Sequence, residues 1–180
     1  MVLSYSDCIK TCGGVYSFRK ALASGKLHKI EKGLYSDEAA VPELAVISEK
    51  YPNAVLTSYS AYYYLGHTET APDKYYLATD KDAAKIRDPR VIQVFENSDI
   101  LMMGAELSEI EGVKVFMYNT DRMLVELFRN KSKIPYAIYK ELVFSYRRSL
   151  EKIDIRRIDE YLDLMPKKRA IGRAWRAEVL

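Results

Sequence analysis

The 180-residue sequence combines 48% hydrophobic with 29% charged residues, a balance that is typical of a folded globular protein and excludes a disordered chain. No apolar run reaches the roughly 18 residues that cross a bilayer, and the first ten residues lack the basic flank and apolar stretch of a secretion signal. We therefore expect a cytoplasmic protein without a membrane partner, in which Cys8 and Cys12 stay reduced.

The net charge of +3 is spread unevenly along the chain. Residues 1–38 carry six Lys and Arg against four Asp and Glu, residues 39–120 carry seven against twelve, and residues 121–180 carry fifteen against nine. The sequence therefore predicts two basic surfaces, one from each end of the chain, that meet polyanions or an acidic partner.

The N-terminal segment has the pattern of two short helices followed by a hairpin. Ser4 is placed to cap a first helix that Gly13-Gly14 ends, and a second helix covers about residues 16–24, with Phe18 on its apolar side. Two brief extended runs then flank Lys32-Gly33, a turn pair that suits a hairpin. This is the order of positioning helix, recognition helix and wing in a winged helix-turn-helix, although a small helix and hairpin with solvated lysines fits these residues equally well.

A helix that begins near Pro42 and ends near Lys50 follows, and we place the domain boundary just before it, which gives domains 1–40 and 41–180. Four short runs then predict the strands of a small sheet: Ala54–Leu56, Lys74–Thr79, Val91–Phe95 and Gly112–Tyr118. The tyrosine-rich helix between the first two runs is expected to pack into the core rather than to stack on bases.

After Asp121 the apolar spacing predicts four short helices. The expected fold is therefore α+β, a small N-terminal winged helix-turn-helix packed on a C-terminal domain of a small β-sheet and a helical bundle. The outward faces of these helices form a candidate basic face for DNA or a protein partner, which consists of Arg129, Lys131, Lys133, Arg147, Arg148, Arg156, Arg157, Lys167, Lys168, Arg169, Arg173 and Arg176.

Catalytic motifs are missing from the sequence. It contains no glycine-rich phosphate loop, no H-E-x-x-H motif, no nucleophile elbow and no Cys-His pair at a spacing typical of a catalytic or metal site. Asp73 before the strands could begin a Mg²⁺-binding carboxylate cluster of a nuclease, but the acidic residue, spacer and lysine that such a site needs on a later strand are absent. We therefore expect no enzyme activity, cofactor, metal or small-molecule substrate.

Four segments in order carry a family resemblance over nearly the whole chain: GKLHKIEKGLYSDE, YPNAVLTSYSAYYYLGHTETAPDKYYLATD, GVKVFMYNTDRMLVELFRNKSKIPYAIYKEL and the basic helices to Leu180. The third is the most specific, because a strand leads into Asp121-Arg122-Met123 and a helix ends in Arg129-Asn130-Lys131. The chain resembles the AbiEi family, the antitoxin and transcriptional-regulator component of type IV toxin-antitoxin systems that act by abortive infection in phage defence.

This resemblance implies an N-terminal winged helix-turn-helix that binds inverted repeats in promoter DNA of its own operon. It also implies a C-terminal domain that neutralises a nucleotidyltransferase-like toxin. The positions that match the family imply that the recognition helix begins with Ser17, Arg19 and Lys20. They also imply that the wing contacts phosphates through Lys26, Lys29 and Lys32. Arg19 is the candidate base contact, since a guanidinium can bond guanine O6 and N7 together. His67, at a position that is usually apolar in the family, is assigned no role.

Two other functions stay open at this point. The chain could be a protein-binding module that does not bind DNA, or a degenerate metal-dependent nuclease whose activity depends on Asp73. The sequence does not decide whether the basic C-terminal helices serve the toxin, DNA or both.

Overall fold

In a computed structural model, which describes residues 1–180, the chain divides into two units. The N-terminal unit comprises Met1–Pro52 with Glu109–Val115, and the C-terminal unit comprises Asn53–Ser108 with Phe116–Leu180. Two separate sheets and a set of α-helices fit the α+β class. None of the helices combines the length and the apolar character that crossing a membrane requires.

The N-terminal unit contains a three-stranded sheet in the order β1-β3-β2. Its elements in chain order are β1 (Val2–Ser4), α1 (Tyr5–Cys12), α2 (Val15–Ala23), β2 (His28–Glu31), β3 (Leu34–Ser36) and α3 (Glu43–Lys50). Both strand pairs are antiparallel, and Ser36 at the end of β3 lies between Val2 and His28. The strand β1 was not predicted, because three residues are too few to show an alternating pattern.

The helix α3 belongs to the N-terminal unit, which therefore ends at Pro52 rather than near residue 40. Val46 of α3 packs in one apolar cluster with Val2 and Leu34 of the small sheet. Leu44 and Ile47 of the same helix are also buried. A boundary near residue 40 would leave one face of a three-stranded sheet without its apolar cover, and such a small sheet needs that cover to be stable.

The second sheet has five strands in the order β6-β5-β4-β8-β7. The elements of this part of the chain are β4 (Val55–Leu56), α4 (Ser58–Tyr64), β5 (Tyr75–Asp80), β6 (Val91–Glu96), α5 (Ser98–Leu101), β7 (Ala105–Ile110), β8 (Val113–Tyr118), α6 (Thr120–Arg129), α7 (Tyr136–Arg148), α8 (Ile155–Asp163) and α9 (Lys168–Val179). Strand β4 runs antiparallel to β5 and parallel to β8, and β5 runs parallel to β6.

The strand β7 was also absent from the sequence prediction. Its residues, AELSEI, include few of the β-branched and aromatic side chains that favour strands. The turn that joins β7 to β8 consists of Glu111 and Gly112, with φ angles of 52° and 77°. Positive φ at both central residues is the geometry of the tight hairpin turns that match the twist of two antiparallel strands, so this turn sets the pairing.

The helix α6 is the centre of the C-terminal unit. Met123, Leu124, Val125 and Leu127 are completely buried, so both the predicted apolar face and its flanks lie in the core. Asn119 caps the helix, because its side chain accepts a hydrogen bond of 2.9 Å from the Arg122 N–H. Helices α7, α8 and α9 all contact α6, and Trp175 of α9 is fully buried in this unit.

Candidate nucleic-acid interface

The helices α1 and α2 are joined by a turn of two glycines. Gly13 and Gly14 have φ angles of 77° and 135°, which residues with a side chain rarely adopt. The N–H groups of these glycines donate to the carbonyls of Lys10 and Ile9, so they close the end of α1 in the usual manner of a helix C-terminus. Ser4 begins α1 as its N-cap, as the sequence predicted. The result is a helix, a short turn and a second helix.

One aromatic side chain fixes the orientation of α2. Phe18 is buried and packs edge-to-face against Tyr5 of α1 and Tyr35 of β3, with ring centroids 5.2 Å and 5.0 Å apart. Edge-to-face pairs add stability beyond the burial of their area. Because Phe18 holds one side of α2 against the unit, the opposite side of the helix faces solvent.

The predicted recognition residues lie around the part of α2 that Phe18 does not bury: Lys20 is about 200° from Phe18 around the helix, and Ser17 and Arg19 are about 100° from it on either side. Ser17, Arg19 and Lys20 are all exposed. Tyr16 is 82% exposed at the start of the same helix, and the sequence analysis did not single it out. The signal was available, because Tyr16 lies two positions before Phe18 and therefore about 200° around the helix from it. We add Tyr16 to the candidate interface.

The predicted wing residues lie on the loop after α2 and on the hairpin of β2 and β3. Lys26, Lys29 and Lys32 are all exposed. Gly33, with φ of 81°, makes the turn that Lys32 enters, and the pairing register shifts between Lys29 and Glu31. Such an irregularity increases the local twist of a hairpin. The three lysines thus lie on the loop and the hairpin that follow α2 directly.

The charges of this surface have no partners within the chain. Arg19, Lys20, Lys26, Lys29 and Lys32 make no ion pair with a carboxylate, whereas Lys50 on α3 pairs with Glu31 at 3.3 Å. Five exposed, unpaired cations on two consecutive elements produce a positive potential that attracts a polyanion. The arrangement has the charge and the shape that a phosphate backbone and a groove require.

The basic residues of the C-terminal helices fall into two groups. The first group makes contacts within the chain: Lys131 pairs with Glu178 at 2.6 Å, Arg147 donates to the Glu178 carbonyl, Arg157 pairs with Asp121 at 3.4 Å, Lys168 pairs with Asp163, and Arg176 pairs with Asp159. The second group is exposed without a carboxylate partner and consists of Lys133, Arg148, Arg156, Lys167, Arg169 and Arg173. Only the second group has its charge fully available to a partner.

Arg129 was predicted on the outward basic face, and this assignment is wrong. Its guanidinium contacts Glu96 and Glu126, which are both buried. Burial by itself raises the pKa of Glu96, but the hydrogen bonds from Arg129 and from the Asn97 N–H outweigh it, so the pKa lies below its ordinary value. Glu96 ends strand β6 far from α6 in sequence, and no periodicity in the chain pairs the two.

Arg122 completes this internal charge network and is itself fully buried. Its guanidinium donates to Glu126 at 3.1 Å and to Glu96 at 3.2 Å. It also donates to the backbone carbonyls of Ile100 at 3.0 Å and Met103 at 3.3 Å. A buried guanidinium is tolerated only when its donors are satisfied in this manner, so the network joins α6 to β6 and α5.

His67 is a buried histidine in the C-terminal unit. Its ring stacks on Tyr146 with centroids 3.9 Å apart, Nδ1 lies 3.1 Å from Ser145 Oγ, and Nε2 has no hydrogen-bond partner. Burial, with a smaller contribution from the Lys152 ammonium group, lowers the pKa of His67 from 6.5 to about 4. The imidazole is therefore neutral at physiological pH.

His67 makes the stability of the chain depend on pH. The unfolded chain binds a proton at His67 near pH 6.5, while the folded chain resists that proton down to about pH 4. The free energy of unfolding should therefore fall by about 2 kcal/mol between pH 7 and pH 5 through this group. Urea unfolding at several pH values measures the effect, and the His67→Phe variant, which keeps an aromatic ring without a titrating group, is the control. An identical pH dependence in both proteins would contradict the assignment.

No three His, Cys, Asp or Glu side chains of the chain converge so that they could hold a metal ion. Asp73, the residue on which a nuclease site would depend, instead lines an open depression of about 490 Å³ with Tyr59, Tyr76 and Glu141. The cysteines Cys8 and Cys12 are free thiols.

Comparisons with known proteins show the fold of the chain but no family. No family model and no curated protein matches the sequence. The structure is similar to the crystal structure of the Rv2827c protein from Mycobacterium tuberculosis, with a TM-score of 0.58, 15% sequence identity, and coverage of 100% of this chain and 77% of that protein. The chain is thus an α+β protein whose fold is shared with that mycobacterial protein, and at this identity the likeness concerns the fold alone.

Proposed function

We propose that the chain is a DNA-binding antitoxin that represses its own operon, and that its N-terminal unit is a winged helix-turn-helix. The observation that carries the DNA-binding part is the exposed side of α2 with the adjacent hairpin. Five cations there have no carboxylate partner, and Phe18 fixes the helix that presents two of them. An α-helix fits the major groove of B-DNA, and lysines on a flanking hairpin reach phosphates.

The order and pairing of the elements support the same proposal. Two helices joined by a short turn are followed by a hairpin, and β1 adds the third strand beside β3. A winged helix-turn-helix uses this order, in which the second helix reads base edges and the hairpin lies on the backbone. The helix α3 packs on the sheet, so the outer side of α2 is not needed to cover it.

The antitoxin part of the proposal depends on the resemblance to the AbiEi family. That resemblance assigns the neutralisation of a nucleotidyltransferase-like toxin to the C-terminal domain and assigns inverted promoter repeats to the DNA-binding domain. Two copies of the chain on an inverted repeat would place one α2 in each half-site. Of the two alternatives, the nuclease has no set of converging metal ligands to support it, and the protein-binding module without DNA binding is the one that experiment must exclude.

The salt dependence of DNA binding tests the proposal. Each lysine that neutralises one phosphate contributes about 0.9 to the slope of log K against log salt concentration. Replacing Lys26, Lys29 and Lys32 with alanine should therefore reduce that slope by up to about 2.7 for each bound copy, and should weaken binding to all sequences alike. Fluorescence anisotropy with a labelled fragment of the upstream region measures the slope.

The matched control for the wing variant replaces three lysines of the C-terminal unit, Lys74, Lys81 and Lys85, which are equally exposed. This control should leave the slope unchanged. If the wing variant keeps the wild-type slope, the hairpin does not lie on DNA. If the wild-type chain binds no DNA even at low salt, the proposal fails in favour of the protein-binding module.

A further inference from the structure

The first turn of α2 carries two exposed apolar side chains. Tyr16 is 82% exposed and Val15 is 43% exposed. Tyr16 makes no hydrogen bond, ion pair or ring contact within the chain. A tyrosine that stabilises a fold packs its ring against apolar neighbours, as Tyr5 and Tyr35 do with Phe18 on the buried side of this helix. The ring of Tyr16 is therefore available to a partner.

Tyr16 lies on the same side of α2 as two of the unpaired cations. Around the helix it lies between Arg19 and Lys20, about 60° from the first and about 40° from the second, and it precedes them by about 4.5 Å and 6 Å along the axis. Neither cation makes an ion pair with a carboxylate. A ring between two unpaired cations belongs to a surface whose charge is complementary to a polyanion, so duplex DNA is the occupant that this side of α2 favours.

The turn before α2 leaves space for a partner to approach this ring. Gly13 and Gly14 precede the helix, and a side-chain carbon added at either glycine would meet no atom within 4 Å apart from its neighbours in the chain. Gly14, the N-cap residue, has no side chain that would close the start of the helix. The first turn of α2 is therefore open to close approach, and the N-terminal residues of a recognition helix are the ones that contact base edges.

Duplex DNA offers one kind of apolar group to a ring at this position. The faces of paired bases are stacked inside the duplex, so a side chain in the major groove meets only their edges. On those edges the apolar group is the C5-methyl group of thymine, against which side chains such as phenylalanine pack. Bases in one strand are about 3.4 Å apart, so the axial offset of about 4.5 Å between Tyr16 and Arg19 corresponds to one or two base pairs.

We infer that Tyr16 reads a thymine methyl group in each half-site of the operator, one or two base pairs from the guanine that Arg19 contacts. This inference rests on the proposed DNA-binding function and adds to it a second specificity-determining residue and the base that it selects. The ring makes the contact, Val15 extends the apolar surface beside it, and the tyrosine hydroxyl is not required.

The experiment compares two forms of one DNA fragment by fluorescence anisotropy with the full chain. The upstream region is prepared with thymidine or with deoxyuridine throughout, which removes every methyl group and keeps the base-pairing hydrogen bonds. One buried methyl group contributes a factor of about four in affinity, so two copies on an inverted repeat should bind the deoxyuridine form about 15-fold more weakly. A shuffled fragment in both forms controls for the general effect of deoxyuridine on a duplex, and the wild-type chain should bind its two forms within about twofold.

Three variants assign the contact to the ring. Tyr16→Ala should distinguish the two forms of the upstream fragment by less than about twofold, because the apolar surface is gone. Tyr16→Phe keeps the ring without the hydroxyl and should retain the wild-type ratio. Tyr136→Ala removes a tyrosine that is 73% exposed on α7 of the C-terminal unit, and as the matched control it should also retain the ratio. An unchanged melting temperature shows that each variant is folded.

The outcomes separate this inference from the function on which it rests. A wild-type preference for the thymidine form that Tyr16→Ala loses and Tyr16→Phe keeps supports the inference. If the wild-type chain binds both forms of the upstream fragment equally, and more tightly than shuffled DNA, the inference is wrong and the DNA-binding function stands. A preference that persists in Tyr16→Ala, or that Tyr16→Phe loses, also overturns it, because another residue or the hydroxyl then makes the contact. A wild-type chain that binds no DNA overturns the function and the inference together.

Discussion

Replacing Arg122 with alanine is expected to lower the free energy of unfolding of the C-terminal unit by about 3 to 5 kcal/mol. The substitution removes a fully buried guanidinium that donates to Glu96, Glu126 and two backbone carbonyls. The Met103 carbonyl loses its donor, which costs about 1 to 3 kcal/mol for a buried acceptor, whereas the Ile100 carbonyl still accepts the Met103 N–H. Glu96 and Glu126, the two buried carboxylates, then keep only the ion pairs with Arg129.

The single tryptophan makes this expectation straightforward to measure. Trp175 is buried in the C-terminal unit, so its fluorescence during urea unfolding of the full chain reports on that unit. Arg173→Ala is the matched control, because Arg173 is exposed without a carboxylate partner and its loss should change the stability by less than about 0.5 kcal/mol. Equal effects of the two substitutions would mean that the buried network does not stabilise the unit.

The same network explains what the segment from Asp121 to Lys131 does in this chain. Arg122 is fully buried and Arg129 is half-buried with its guanidinium on two buried carboxylates. Asp121 accepts a hydrogen bond of 2.9 Å from the Asp154 N–H and pairs with Arg157. Asn130 donates to Glu126 at 2.8 Å. These residues hold α6 against the sheet and against α8, so the segment stabilises the fold of the C-terminal unit. Binding surfaces must therefore be sought on the exposed faces of the helices after it.

The sequence was sufficient to predict the elements whose patterns are strong. The two N-terminal helices occur within one residue of their predicted ends, because apolar spacing and capping residues such as Ser4 define them locally. The hairpin around Lys32-Gly33 and four helices after Asp121 are also present, as predicted. The strands β1 and β7 were not predicted, since β1 is very short and β7 is rich in polar residues. Their positions are set by pairing with distant strands, which no local pattern encodes.

The candidate interface could be predicted in part for a similar reason. The exposure of Arg19 and of the wing lysines follows from the apolar side of α2 and from the alternation in the hairpin, which are local properties. The inward pairing of Arg129 could not be predicted, because it depends on Glu96, a residue 33 positions earlier in the chain. The role of α3 in covering the small sheet depends likewise on a contact between the two ends of the N-terminal unit.

Replacing Arg19 with alanine is expected to remove much of the preference of the chain for its own promoter. Arg19 is exposed on α2 and has no partner within the chain, so its guanidinium is free to bond a guanine. One bidentate contact contributes about 1 to 3 kcal/mol of discrimination, and two copies on an inverted repeat double this loss to about 2 to 6 kcal/mol. Binding to unrelated DNA should change much less, because the wing lysines that contact phosphates are unaltered.

A competition titration measures whether the N-terminal unit reads DNA through α2. The wild-type chain and the Arg19→Ala variant are each bound to a labelled fragment of the upstream region at fixed salt, and are then displaced by unlabelled upstream or shuffled DNA. We expect upstream DNA to displace the wild-type chain at concentrations at least about 10³-fold lower than shuffled DNA does, and the variant to lose most of this difference. Equal displacement of the wild-type chain by both DNAs, or an equal loss of affinity for both DNAs in the variant, would contradict this expectation.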